Sequence, residues 1–286
     1  MGRGGMPMDR CIGVIGGDRR QAELARLLAA EGHRVFTYGL DRWGADSAVD
    51  LAEAAAAEVV VLPLPLCSGE GVLNLEGGIV ATDELFRLLR PEQRILAGLV
   101  KPQQYREAEA HGVKLEDYFL REEVTVANAA LTAEAAVQVA MDQLECSMLG
   151  LECLVLGFGR IGKLLCHRLQ GMGARVSASA RTAGDLAWIR VYGWNDLETQ
   201  YLDGKLSDFG VVFNTIPALV LDESLLRQLP GYCLCIELAS TPGIDPAAAE
   251  KLGIPYLWAR SLPGRVKPRA AAKILRDSID YILMEG

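Results

Sequence analysis

Gly157, Gly159 and Gly162 stand in the spacing Gly-x-Gly-x-x-Gly, within Leu156-Gly157-Phe158-Gly159-Arg160-Ile161-Gly162-Lys163. That spacing suits one task. The first glycine permits a tight turn, the second lets a pyrophosphate approach the backbone, and the third lets a helix pack closely on a strand. The exposed N–H groups and the dipole at the helix start then hold the phosphates. The flanks agree. An apolar run precedes the turn at residues 151–156, and Ile161, Leu164, Leu165 and Leu169 follow at helical spacing. A second strand is expected at residues 173–178. Gly157, Phe158, Gly159, Arg160, Ile161 and Gly162 are therefore the expected diphosphate-binding turn.

The end of that second strand reads the ribose. In NAD-specific units an acid stands about 20 residues beyond the glycines and accepts from the 2′-hydroxyl. Here the segment is Ser179-Ala180-Arg181-Thr182, with no acid before Asp185. Arg181 would pair with a 2′-phosphate, and the hydroxyls of Ser179 and Thr182 would donate to it. This favours NADP over NAD. Asn214, Thr215 and Pro217 follow the fourth-strand position of the same half, where loops border the nicotinamide. They are expected to touch the cofactor.

These groups need a frame. A chain of 286 residues, half of them apolar, can build about two cores. The net charge of −8 argues against non-specific binding to nucleic acid or anionic membranes. The apolar stretches read as strand-length, none approaching a membrane span. No secretory signal is visible, and residues 1–9 read as frayed. The seven cysteines are scattered among apolar residues. Reduced, buried thiols in a cytoplasmic protein are expected, and no metal site.

The pattern is α/β throughout. Strands at 11–15, 34–38, 58–62, 94–98 and 113–117 alternate with helices and predict a flavodoxin-like N-terminal domain. Its first turn, Gly16-Gly17-Asp18, lacks the glycine spacing for a cofactor. Residues 67–79 are glycine-rich and read as a mobile loop. A Rossmann nucleotide-binding domain is expected at 150–267, with strands at 210–214, 233–238 and 254–257. A linking helix at 128–149 joins them. A C-terminal helix, 268–286, is assigned to the first domain, 1–127. Long helices thus join the two domains, and their apolar faces make a homodimer the expected oligomer.

These segments together resemble the family of dipicolinate synthase A subunits. The resemblance covers nearly the whole chain. It rests on Gly16-Gly17-Asp18-Arg19-Arg20-Gln21, Leu62-Pro63-Leu64-Pro65, Asn128-Ala129 and Thr132-Ala133-Glu134. It continues through the glycine turn, Ala180-Arg181 and Asn214-Thr215-Ile216-Pro217. It closes on Glu237-Leu238-Ala239-Ser240-Thr241-Pro242-Gly243 and Leu262-Pro263-Gly264-Arg265-Val266-Lys267-Pro268. Two positions depart from the family pattern: Glu237 stands for an aspartate, and Ile244 for a second glycine.

The resemblance implies NADP-dependent oxidation of a dihydrodipicolinate, formed from 4-hydroxy-tetrahydrodipicolinate, to dipicolinic acid. It also implies, for a partner, a flavoprotein-like B subunit, and a place in the cytoplasm of a sporulating mother cell. The wider architecture is similar to that of formate/glycerate and alanine dehydrogenases. A dicarboxylate substrate needs cations. Arg19 and Arg20, at the start of the first helix, are expected to bind it, with Lys267 and Arg265 as alternatives. The ring proton has three candidate acceptors: Asp18, Glu134 or water. None of the three histidines falls at 258–269, where 2-hydroxyacid dehydrogenases place a proton-transferring histidine. A 2-hydroxyacid or alanine dehydrogenase-like enzyme is thus the weaker enzymatic reading. An NADP-binding regulatory protein without activity of its own is the non-enzymatic one.

Overall fold

The structure, a computed structural model, describes residues 10–45 and 48–285. The segment read as frayed, 1–9, lies outside the described residues. The chain divides into two compact units, Met1–Asn128 with Pro263–Gly286, and Ala129–Leu262.

The first unit opens with β1 (Cys11–Ile15), α1 (Arg19–Ala30), β2 (Arg34–Tyr38), α2 (Leu51–Ala55) and β3 (Val59–Val61). A small hairpin follows, β4 (Cys67–Gly69) and β5 (Val72–Leu73). Then come α3 (Thr82–Leu88), β6 (Arg94–Ala97), α4 (Pro102–Ala110) and β7 (Leu115–Asp117). The sheet is parallel, in the order β2-β1-β3-β6-β7. This is the flavodoxin-like order, with the hairpin inserted after the third strand. All three valines of β3 are buried, as a strand covered on both faces requires. Helices on either face give two cores.

α5 (Glu122–Gln143) begins six residues before the expected linking helix and ends before 149. Glu122 and Glu123 supply the acidic first turn that suits a helix start. α5 also corrects the reading that no segment approaches a membrane span. It alone among the described helices is long and apolar enough, with a mean hydropathy of 1.3. The apolar character comes largely from alanine. Ala129, Ala133, Ala136 and Ala140 form a buried stripe at helical spacing.

The second unit runs β8 (Glu152–Leu156), α6 (Arg160–Gly171), β9 (Arg175–Ala180), α7 (Ala183–Val191), β10 (Asn195–Glu198) and β11 (Val211–Asn214). It continues with α8 (Glu223–Leu226), β12 (Leu234–Glu237), α9 (Pro246–Leu252) and β13 (Tyr256–Trp258). The order β10-β9-β8-β11-β12-β13 is the Rossmann order 3-2-1-4-5-6. β8 and β11 meet at the topological switch, where ligands bind in such sheets. After α10 (Leu262–Val266), α11 (Pro268–Glu285) returns to the first unit. It packs along α1, with Ala272, Leu275, Ile279 and Ile282 in the shared core.

Candidate functional site

The three glycines of the turn do three different things. Gly157 has φ +95°, and a Cβ there would lie 2.5 Å from Thr215 Oγ1. A Cβ on Gly162 would lie 2.1 Å from the Gly157 carbonyl oxygen, so helix and turn touch at this residue. Gly159 is the opposite case. It has φ −80°, and a Cβ there would meet nothing within 4 Å. Space stands open over its backbone. Gly159 is also the N-cap of α6, and no side chain caps that helix. The first N–H groups of α6 thus lack a side-chain acceptor beside an open space, which fits a diphosphate.

This contrast carries a prediction. Gly159→Ala is expected to change stability by less than about 0.5 kcal/mol while weakening dinucleotide binding. Gly162→Ala is expected to cost about 1–3 kcal/mol from overpacking. Melting curves with and without NADP⁺ separate the two effects.

Phe158 is buried, with its ring edge-on to Trp194 at a centroid distance of 6.0 Å. Arg160 is exposed and Ile161 half-buried at the start of α6. Ser179 is fully buried. Its Oγ accepts from Thr199 Oγ1 at 3.0 Å, and its carbonyl accepts from the Gly157 N–H at 3.2 Å. Ser179 therefore holds the glycine turn from beneath. Thr182 caps α7: its Oγ1 accepts from the Asp185 N–H and donates to Asp185 Oδ2 at 2.8 Å. Arg181 lies between them, exposed and, among the described residues, without an ion pair. Of the three residues expected at the ribose, Ser179 is buried and Thr182 donates to Asp185, which leaves Arg181 exposed and, among the described residues, without an ion pair.

Asn214, Thr215 and Pro217 fall at the end of β11, beside the glycine turn. Thr215 Oγ1 donates to the Leu156 carbonyl at 2.8 Å. Asn214 is fully buried, and its Nδ2 donates to both oxygens of Glu237, at 2.8 and 3.0 Å. The Glu237 carboxylate, also fully buried, accepts from the N–H groups of Ala239, Gly243 and Ile244 as well. Glu237 thus ties the loop after β11 to the loop after β12. Pro217 is exposed on that edge.

In the first unit Arg20 and Arg19 part company. Arg20 is buried; its guanidinium donates to Asp18 Oδ2 at 2.9 Å and to the Leu64 carbonyl at 2.8 Å. Arg19 is exposed and, among the described residues, without an ion pair. Asp18 is the N-cap of α1 and takes the Arg20 N–H at 2.9 Å. Gln21 returns a bond from the Asp18 N–H and completes a capping box. The N–H groups expected to attract a substrate carboxylate are therefore answered by the chain's own acid. A Cβ on Gly264 would lie 2.4 Å from Asp18 Oδ2, so α10 closes on this carboxylate. Lys267 is half-buried just after α10, and Arg265 is exposed on it.

Glu134 is exposed on α5 and pairs with Arg168 of α6 at 3.1 Å. Asp18 belongs to the first unit and Glu134 to the second. The hairpin β4–β5 replaces the expected mobile loop. Its exit residue Asn74 accepts from the Gly17 N–H at 2.7 Å and donates from Nδ2 to the Pro65 carbonyl at 3.0 Å. The Leu75 side chain covers Gly39. The first unit's own chain thus fills the crevice over its first turn.

Among the described residues no cluster of His, Cys, Asp and Glu is arranged to hold a metal ion. The cysteines are free thiols. Cys146 is exposed and Cys11 and Cys67 are half-buried, correcting the expectation that all are buried. Burial pushes the thiol of Cys67 up to about 11 and that of Cys153 up to about 12. Burial also raises Cys166, and in Cys233 the hydrogen bond with Cys235 acts the same way, ahead of burial. A thiol reagent at neutral pH is expected to label one cysteine per chain rapidly, and Cys146→Ser to abolish that fast phase.

Two parallel sheets, the second in Rossmann order with a glycine turn at its switch point, define a two-domain dinucleotide-binding fold of the dehydrogenase type. Comparison with known proteins narrows this. Residues 11–119 match the family model for the N-terminal domain of the dipicolinate synthase A subunit. The dipicolinate synthase A subunit of Bacillus subtilis (strain 168) is 30% identical, with 96% of each chain covered. The crystal structure of the Bacillus halodurans dipicolinate synthase A subunit superposes with a TM-score of 0.84 at 27% identity, covering 98% of each chain. An L-alanine dehydrogenase structure shares the fold alone, with a TM-score of 0.65 at 15% identity over 96% of this chain and 89% of that one. The chain belongs to the family of dipicolinate synthase A subunits.

Proposed function

We propose that this chain is the NADP-dependent dehydrogenase of a dipicolinate synthase. The supporting observation is the 30% identity to a dipicolinate synthase chain over nearly the whole length, joined to an open glycine turn and to Arg181, exposed directly after β9 and without an ion pair among the described residues. The substrate is a dihydropyridine dicarboxylate derived from 4-hydroxy-tetrahydrodipicolinate. The ring loses a hydride and a proton and becomes the aromatic pyridine dicarboxylate. NADP⁺, when bound, supplies the hydride acceptor.

The chain's residues position rather than activate, because aromatisation supplies much of the driving force. Gly159 and the start of α6 would hold the diphosphate of a bound dinucleotide, and Arg181 its ribose phosphate. The loops after β11 and β12, tied by Glu237, border the nicotinamide. Arg19, not Arg20, is the carboxylate-binding arginine, because Arg20 is already paired. Asp18 is held by Arg20 and Glu134 by Arg168, which leaves water to take the ring proton. A flavoprotein-like B subunit is the partner, and the setting is the cytoplasm of a spore-forming mother cell.

The paired state of Asp18 and Glu134 also favours a second reading, a regulatory NADP-binding protein. One experiment separates the two. The purified chain, NADP⁺ and freshly generated 4-hydroxy-tetrahydrodipicolinate are mixed with and without the B subunit. Pyridine dicarboxylate absorbance from this chain alone is the expected result. Binding of NADP⁺ with no product in either mixture supports the regulatory reading.

A further inference from the structure

One side of α11 is core and another is not. Ala272, Leu275, Ile279 and Ile282 enter the core shared with α1. Ile274, Asp277, Ser278 and Tyr281 form a separate stripe at i, i+3, i+4, i+7 spacing. With Glu123, Val124 and Ala127 of α5 they line a cleft of about 200 Å³ that opens to solvent. Four residues at that spacing make the hole that a side chain of a neighbouring helix fills in knobs-into-holes packing. The hole has one buried polar point. Ser278 is 2% exposed, and its hydroxyl has no hydrogen-bond partner among the described residues. A knob that ends in a hydroxyl answers it.

The same stripe carries the knobs. Tyr281 is 57% exposed, and Met284, about one turn on, is 59% exposed. Knob and hole on one helix make this face self-complementary, the condition for a two-fold contact between identical chains. Charge then sets the direction. Arg269, Lys273 and Arg276 occupy the N-terminal half of α11, and Asp277, Asp280 and Glu285 the C-terminal half. That order opposes the helix dipole, which favours acids at the start and bases at the end. Within the chain Arg276 pairs with Glu31, Asp277 and Asp280, and Arg121 pairs with Glu123 and Glu285. Arg269 and Lys273 are exposed and, among the described residues, without an ion pair. A second α11 laid antiparallel brings an acidic half to these two bases.

We propose that two copies of this chain associate through α11, antiparallel about a two-fold axis, with Tyr281 of each copy seated in the α5–α11 cleft of the other. The ring covers Val124, Ala127 and Ile274, and the hydroxyl answers Ser278. Seating Tyr281 opposite Asp277 and Ser278 of the second copy sets Met284 opposite its Ile274 and Lys273 opposite its Glu285.

Sedimentation equilibrium of the full chain over a range of concentrations tests this. The wild type is expected to show a concentration-dependent dimer. Tyr281→Ala removes one knob from each copy and is expected to weaken the dimer about a hundredfold. Lys273→Glu sets acid against acid, and Glu285→Lys sets base against base. Each is expected to weaken the dimer about fivefold, the size of an exposed ion pair counted twice. An equimolar mixture of these two variants is expected to regain wild-type affinity, because both charge pairs are then opposite in sign. A parallel contact gives no such recovery. Circular dichroism spectra equal to wild type show that the variants are folded. A wild type that stays monomeric, a dimer indifferent to Tyr281→Ala, or a mixture that stays weak would each overturn the proposal. A monomeric wild type whose binding to a B subunit falls with Tyr281→Ala would also overturn it and assign the cleft to that partner.

Discussion

Arg181→Ala is expected to weaken NADP⁺ binding by about 2 kcal/mol, roughly thirtyfold, and to leave NAD⁺ binding nearly unchanged. The reason is the state of its neighbours. Ser179 is fully buried, where its Oγ accepts from Thr199 and its carbonyl from Gly157, so its hydroxyl does not reach a ligand. Thr182 directs its donor to Asp185. Among the described residues at the end of β9, Arg181 alone is exposed with its guanidinium unpaired. A guanidinium on a phosphate gives two parallel charge-assisted bonds, and an alanine gives none. The magnitude is held below that of a buried pair because the side chain is exposed. Fluorescence titration with both nucleotides checks the result. Equal affinities of the variant and the parent for NADP⁺ would remove the cofactor assignment.

The glycine turn was legible because its chemistry is backbone chemistry. Spacing alone predicts that Gly162 must be small, and its Cβ position 2.1 Å from a carbonyl bears the requirement out. The five strands of the first sheet and five of the six in the second follow from alternating apolar runs and helices. β10 escaped notice because it is an edge strand, Asn195-Asp196-Leu197-Glu198, with only Leu197 buried. The β4–β5 hairpin escaped notice because its order comes from distant partners, Gly17 and Pro65, rather than from its own glycine-rich composition. The roles of Arg19 and Arg20 were not separable by type. Consecutive residues on a helix point about 100° apart, and only the fold decides which one faces Leu64. The spacing of Asp18 and Gln21 did carry a signal, that of a capping box. It foretells that the helix N-terminus is occupied rather than offered to a ligand.

Glu237→Ala is expected to be the most destabilising single change in the second unit, by about 3–5 kcal/mol. Among the described residues no cation pairs with this carboxylate. Its two oxygens instead answer the Asn214 amide and the N–H groups of Ala239, Gly243 and Ile244. Truncation leaves four donor groups without this acceptor in a place where both Glu237 and Asn214 are closed to bulk water. Only the amide keeps another partner, the Ile216 carbonyl at 2.9 Å. Each buried donor left unanswered costs about 1–3 kcal/mol, and relaxation of the two loops recovers part of the sum. Glu237→Gln tests the cause rather than the shape. It fills the same volume but turns an amide towards N–H groups that also donate. It is therefore expected to destabilise nearly as much as the alanine variant, although it leaves no cavity. Glu237→Asp keeps the charge and shortens the reach, so it should lose the bonds of one loop and keep those of the other. Chemical denaturation of the three variants ranks them. If glutamine were as stable as glutamate, the donors would be finding other acceptors, and the loops after β11 and β12 would not depend on this carboxylate. A partial loss of stability in Glu237→Asp, accompanied by a higher KM for the dinucleotide at unchanged ionic strength, would show that the tie between β11 and β12 sets the geometry of that edge.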